Sequence, residues 1–331
     1  MLNYQQKIEQ QKHTSKKIMD LEDNELLVTG ASGHSAKYFF ERLKAENYDK
    51  KIKCLVRKNS QIEHLKRYNL NLEFIYPDFK NIESLKNSME GVKTVLHIAN
   101  ISISSAVIKA GTEAGVDWFI CVHTTGRYSK FKSASAEYIE IEDGLLNKYP
   151  NLTILRPTLI YGSSRDRNFW RLIDFINSYN FFPVFGSGKN LMQPVNAEDL
   201  GNAYVNVLQN RSNTFGKQYN LSGRDQVTYI SILKEISSAL GKKVFFIHLP
   251  MWISLVGAYL MNMLLGSRFP ISVEQVQRMK EDKIFSFEDA YKDFEYTPMS
   301  FKDGIRREVE EYINKMKDTK TNSAFFESMK K

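Results

Sequence analysis

The chain has 331 residues, 42% of them hydrophobic, enough to bury one large core or two modest ones. Lysine and arginine outnumber aspartate and glutamate 46 to 38, a net charge of +8, and residues 313–331 supply +3 of it through five lysines against Asp318 and Glu327. A bias this mild, with no basic helix and no interleaved aromatics, speaks against a nucleic-acid binder.

Cys54 and Cys121 fall inside apolar runs, where cysteine behaves as a small buried hydrophobe. This points to a reducing compartment and away from a disulfide scaffold. The six histidines show no metal-ligand spacing, and the polar N-terminus lacks the apolar core of a signal peptide. A metal-free, cytoplasmic protein is expected.

Residues 1–24 carry four basic and four acidic side chains and few apolar ones, and are read as a loose polar arm. From Glu25 to Leu43 the sequence ELLVTGASGHSAKYFFERL is a short apolar run, a turn and a helical pattern. Gly30, Gly33 and Ala36 stand at spacing G-x-x-G-x-x-A. Small residues there allow a tight turn, close backbone approach to a pyrophosphate, and packing of the helix on the strand. The helix then aims its positive end at the phosphates.

Apolar runs and helical stretches continue to alternate through KIKCLVR, QIEHLKRYN, LEFIYPDF, NIESLKNSMEG and KTVLHIAN, the pattern of a parallel sheet with right-handed crossovers. Arg57 and Lys58 follow the second strand, where a binder of the unphosphorylated dinucleotide carries an acid, so they suit a 2′-phosphate. Asp78 and the pair Ala99-Asn100 close the next two strands at the edge where ligands sit. Ser105–Ala114 reads as a helix, and Trp118–Val122 as a buried strand. Beyond that strand, Tyr128 and Lys132 stand four apart, on one face of any helix that begins there. A lysine beside a tyrosine lowers the phenol pKa toward usefulness in proton transfer, and a hydroxyl from Thr124 or Thr125 can hold the substrate oxygen.

The combination of TGASGHSA, the strand-end HIAN, the Tyr128–Lys132 pair, LRPTLIYG, QPVNAEDLGNAYV and YNLSGRDQVTYISILKEI resembles the short-chain dehydrogenase/reductase superfamily, in its extended and atypical branch of NAD-dependent epimerase/dehydratases. The resemblance covers roughly residues 25–312. It implies an α/β fold: a Rossmann-type doubly wound parallel sheet with a small, mostly helical C-terminal substrate domain. The dinucleotide-binding domain is placed at 25–180, with about 190–222 returning to it, the substrate-binding region at 223–313, and a basic tail at 314–331. By the same resemblance Gly30, Ser32, Gly33, His34, Ser35 and Ala36 cradle the cofactor. Arg57, Lys58, Asp78, Ala99, Asn100, Lys132 and Pro157 are its other contacts, and Thr124 or Thr125, Tyr128 and Lys132 are catalytic. Thr124 precedes Tyr128 by only four residues, where members of this branch have about twenty.

In the later half, Arg165 and Arg167 in a serine-containing loop are candidates for a substrate phosphate. Ser272, Ser286 and Ser300 each precede an acidic or amide residue by three, the spacing of a helix N-cap, so the C-terminal region is read as short capped helices. Leu249–Leu265 is the most apolar stretch, shorter than the ~20 residues of a membrane span. It is read as a buried or lid helix, with membrane-surface docking through Trp252 and Tyr259 as the alternative.

The expected function is that of an NADP-dependent oxidoreductase or epimerase, with NAD as the alternative cofactor, acting on a hydroxyl or keto carbon of a nucleotide-linked sugar. A non-catalytic NAD(P)-binding sensor or assembly protein and a membrane-associated reductase of a lipid-like alcohol are the alternatives. A homodimer is compatible with the chain.

Overall fold

The computed structural model describes residues 25–131, 135–166, 168–265 and 273–328. The N-terminal arm, Lys132, Arg167 and Ser272 lie outside the described residues.

Seven strands, β1 (Leu26–Thr29), β2 (Ile52–Leu55), β3 (Leu72–Ile75), β4 (Thr94–His97), β5 (Trp118–Val122), β6 (Leu152–Pro157) and β7 (Gln218–Leu221), form one sheet in the order 7-6-5-4-1-2-3. Every pairing is parallel. The order reverses beside β1, which makes its carboxyl end the switch point where such sheets open a ligand crevice.

Because both faces are covered, the strands read as near-continuous apolar runs, and their alternate residues enter two cores. Leu26, Val28 and Cys54 join one with helix α1 (His34–Ala45); Leu27, Leu55 and Cys121 join the other. On the second face lie α2 (Ile82–Ser88), α3 (Ser104–Glu113) and α4 (Ala136–Leu146).

A third apolar cluster stands apart from the sheet. It joins α5 (Phe169–Ser178) to residues of the later helices, Ile232, Leu233 and Ile236 from one and Phe301, Ile305, Val309 and Tyr312 from another. Beyond α5 lie α6 (Ala197–Gln209), which packs on α1, α7 (Tyr229–Ala239), α8 (Met251–Leu265), α9 (Glu288–Phe294) and α10 (Phe301–Ser328), and of these α7 and α10 supply those cluster residues.

Two readings of the C-terminal region need correction. The expected short capped helices end in one helix of 28 residues, α10, which takes in most of the stretch read as a basic tail. Its cap is as read: Ser300 Oγ accepts from the Asp303 N–H at 3.2 Å. The apolar helix expected to be buried instead leaves Trp252 68% exposed.

Candidate active site

The turn after β1 is built for close approach. Gly30 adopts φ +72°, and a side-chain carbon there would stand 2.7 Å from the Ala99 nitrogen at the end of β4. One at Gly33 would stand 2.9 Å from the Gly30 carbonyl oxygen, which accepts the Gly33 N–H at 2.8 Å. Gly33 caps α1 without a side chain, and no acid occupies the first turn, so the orphan N–H groups of this twelve-residue helix are left for an anion. These features fit a dinucleotide pyrophosphate.

The side chains of the loop do something else. Ser35 Oγ accepts from the buried Tyr204 hydroxyl at 3.0 Å and fastens α1 to α6. Burial, with Arg165 and Lys37 nearby, pushes the His34 imidazole down to about 4. Ala36 is fully buried.

At the adenosine end, Arg57, Lys58 and Asn59 line an open cleft of about 420 Å³. Arg57 is fixed through its backbone N–H to Ser60 Oγ at 3.1 Å, leaving its guanidinium exposed. Asp78 is tied into a local turn, its carboxylate accepting the Lys80 N–H at 2.9 Å. Asn100 accepts the Ser102 N–H at 2.9 Å.

The catalytic readings fare unevenly. Tyr128 is not on a helix: Thr125–Tyr128 is a single 3₁₀ turn, and α4 begins only at Ala136. Thr124 Oγ1 accepts the Gly126 N–H at 3.0 Å, which starts the turn, and Thr125 donates to the Pro157 carbonyl at 3.2 Å, tying β5 to β6. Side-chain capping of this kind competes with helix formation, so Tyr128 stands on a tight turn and not on a helix. The half-exposed Tyr128 hydroxyl instead meets Asn220 Oδ1 at 3.3 Å and accepts from Arg156 Nη1 at 3.2 Å, while its ring stacks at 5.2 Å on Phe285.

Arg156 was not singled out in the sequence, although LRPTLIYG contains it. It lies on β6 opposite Asn220 of β7, and its Nε and Nη2 reach Glu142 Oε1 at 2.9 and 2.6 Å. Glu142, on α4, also takes Arg127 and the His123 Nδ1 at 2.8 Å. Burial opposes the charged carboxylate, but hydrogen bonds from His123, Arg156 and Arg127 outweigh it and hold Glu142 at about 2. A carboxylate that is ionised can only accept, so His123 donates from Nδ1. A buried anion thus fixes two guanidinium groups, one of which donates to Tyr128.

Beside Phe285 opens a cleft of about 460 Å³ whose lining includes Gln193, Arg224, Gln226 and Tyr291. Its floor is held: Gln193 Oε1 accepts the Phe285 N–H at 3.0 Å, and Ser222 Oγ donates to the Phe285 carbonyl at 2.7 Å. Arg165, read as a substrate contact, is elsewhere. Its Nη1 donates to the Ser32 carbonyl of the glycine loop at 3.0 Å and stands 3.3 Å from His64 Nε2, on the cofactor side of the molecule.

Sheet order and glycine loop define the class as an NAD(P)-binding α/β protein with the fold of the short-chain dehydrogenase/reductases. Residues 30–163 of the 331 match the family model described as NAD(P)H-binding. The chain is 36% identical over 88 residues to the mitochondrial NADH dehydrogenase [ubiquinone] 1 alpha subcomplex subunit 9 of Arabidopsis thaliana, covering 26% of this chain and 21% of that one. It is 24% identical over 179 residues to the N-acetyl-alpha-D-glucosaminyl-diphospho-ditrans,octacis-undecaprenol 4-epimerase of Escherichia coli O157:H7, covering 52% and 54%. The matches thus span about half, or less, of these curated relatives.

Among solved structures, the UDP-glucuronic acid 4-epimerase of Bacillus cereus, in complex with UDP-glucuronic acid and NAD, superposes with a TM-score of 0.67 at 18% identity. The superposition covers 86% of this chain and 98% of that one. The Rossmann-type doubly wound fold expected from the sequence is therefore the fold of the molecule.

Proposed function

We propose that the protein is an NADP-dependent epimerase or oxidoreductase that acts on a hydroxyl or keto carbon of a diphosphate-linked sugar. The observation that carries this reading is the placement of the 460 Å³ cleft beside Tyr128, on the same carboxyl edge of the sheet as the uncapped glycine loop. The nicotinamide, when bound, supplies the hydride chemistry. The chain's own groups divide the rest: the backbone of Gly30–Ala36 holds the pyrophosphate, Arg57 and Lys58 meet a 2′-phosphate, and Tyr128 handles the proton at the substrate oxygen with Arg156 donating to its phenol oxygen. Arg224, with Gln193 and Gln226, takes the substrate diphosphate role first assigned to Arg165. The third apolar cluster, built on α5, α7 and α10, forms the substrate-side unit.

A charge-assisted contact to phosphate contributes ~1.5 to 3 kcal/mol. Arg57→Ala is therefore expected to weaken NADPH binding by about tenfold to a hundredfold and leave NADH nearly untouched, as read by calorimetric titration of both cofactors. Equal affinities in the wild type, unchanged by the substitution, would remove the 2′-phosphate assignment.

A second reading is favoured by two features. The helix that follows β5, α4, contains no lysine, and the 88-residue likeness is to a respiratory-complex subunit. On this reading the chain binds NAD(P) without turning it over. A coupled assay of UDP- and dTDP-sugars with each cofactor separates the two: binding without any turnover supports the second.

A further inference from the structure

The helix α8, sequence MWISLVGAYLMNMLL, contains no charged residue, yet it is not buried. Trp252 is 68% exposed, Val256 52%, Tyr259 62% and Met263 76%. Their spacing of four, three and four residues places them on one stripe of the helix, turned to solvent. Monomeric proteins rarely leave so apolar a stripe uncovered without a use for it.

The stripe continues into the element before it. Strand Phe245–Leu249 pairs with Phe181–Phe185, Phe245 opposite Phe181, and Phe245, Ile247 and Phe181 are likewise exposed. Gly186, at the end of that pair, lies against the Met251 side chain, so helix and strand pair adjoin.

Charge indicates what covers this surface. From Ile236 to Val273 the sequence has no aspartate or glutamate, but it has Lys242, Lys243 and Arg268. Lys189, in the turn next to Gly186, is exposed as well. Apolar residues with tryptophan and tyrosine among them, with the exposed Lys189 and Lys243 beside the strand pair, complement the boundary of an anionic bilayer; the helix Val273–Arg278, which packs on α8, brings one acid and one base, Glu274 and Arg278. A second copy of the chain would set the same cations against each other. Spanning is not an option for α8: fifteen residues extend about 22 Å, against an apolar thickness of ~30 Å, and among the described residues no helix is long and apolar enough to cross a membrane.

We propose that α8, with the adjoining Phe245–Leu249 strand, is a membrane-docking surface that seats the protein on anionic lipid, the Trp252–Met263 stripe lying in the interfacial plane. The inference is independent of the nucleotide site, since neither helix nor strand contributes to it.

The test uses the full chain with vesicles of phosphatidylcholine alone, or with about one-third phosphatidylglycerol. The wild type should co-sediment with the anionic vesicles at least tenfold more strongly than with the neutral ones. Brominated lipid should quench its tryptophan emission, and Trp252→Phe should remove that quenching. Val256→Glu, at an exposed position, should abolish sedimentation. Lys189→Gln with Lys243→Gln should weaken it by about fivefold for each lysine removed. Absence of sedimentation and of quenching by the wild type overturns the proposal. So does an unchanged affinity in Val256→Glu, or a wild-type dimer that ignores vesicles and dissociates in that variant. The wild-type arm of the quenching experiment needs no variant.

Discussion

Glu142→Ala is expected to destabilise the protein by about 3–5 kcal/mol, because removing one member of a buried ionic cluster leaves its partners charged and desolvated. Arg156 and Glu142 are both almost fully buried, and Arg127 and His123 lose the same acceptor. Chemical denaturation should show the loss in full. Glu142→Gln, which keeps an acceptor oxygen but no charge, should fall between. A loss under 1 kcal/mol in the alanine variant would mean that Arg156, Arg127 and His123 find other partners.

The same carboxylate sets an acid limit on stability. Its folded pKa of about 2 lies below its ordinary 4.5, so its contribution is complete above pH 4.5 and is lost as the pH falls toward 2. The shift corresponds to roughly 3 kcal/mol at about 1.4 kcal/mol per unit. The wild type should therefore lose stability through that window more steeply than Glu142→Gln, whose amide does not titrate. Parallel curves for the two proteins would contradict the assignment.

Whatever depended on neighbouring residues was legible in the sequence. The strands of the sheet are apolar runs between turns, and the Gly30–Ala36 loop carries its geometry in its own spacing, so both could be read directly. Arg156 could not be, because its importance comes from pairings with Glu142, 14 residues away, and Gln218, 62 away, which exist only after α4 and β7 have docked. The contact of Arg165 was out of reach for a related reason: its partner, the Ser32 carbonyl, is 133 residues distant. At Tyr128 the spacing pointed to a helix, but the hydroxyl of Thr124 caps a tighter turn. The apolar pattern of α8 showed that the helix exists and not which side of it meets water.

Tyr128→Phe is expected to lower turnover by about a hundredfold to ten-thousandfold, the range for removing a positioned acid or base, while leaving cofactor affinity unchanged. The phenyl ring would keep its place on Phe285, since only the hydroxyl reaches Asn220 and Arg156. Stability should change by less than about 1 kcal/mol, because the hydroxyl belongs to a half-exposed side chain and its net hydrogen-bond contribution is small. Arg156→Lys makes the complementary test. Lysine keeps the charge but loses the planar fork that meets Glu142, Gln218 and Tyr128 together, so it should reduce turnover and also reduce stability. Full turnover in Tyr128→Phe would make the tyrosine a structural neighbour of Phe285 and move proton transfer to another group at the cleft. Loss of cofactor binding along with turnover would instead show that Tyr128 holds the dinucleotide and not the substrate.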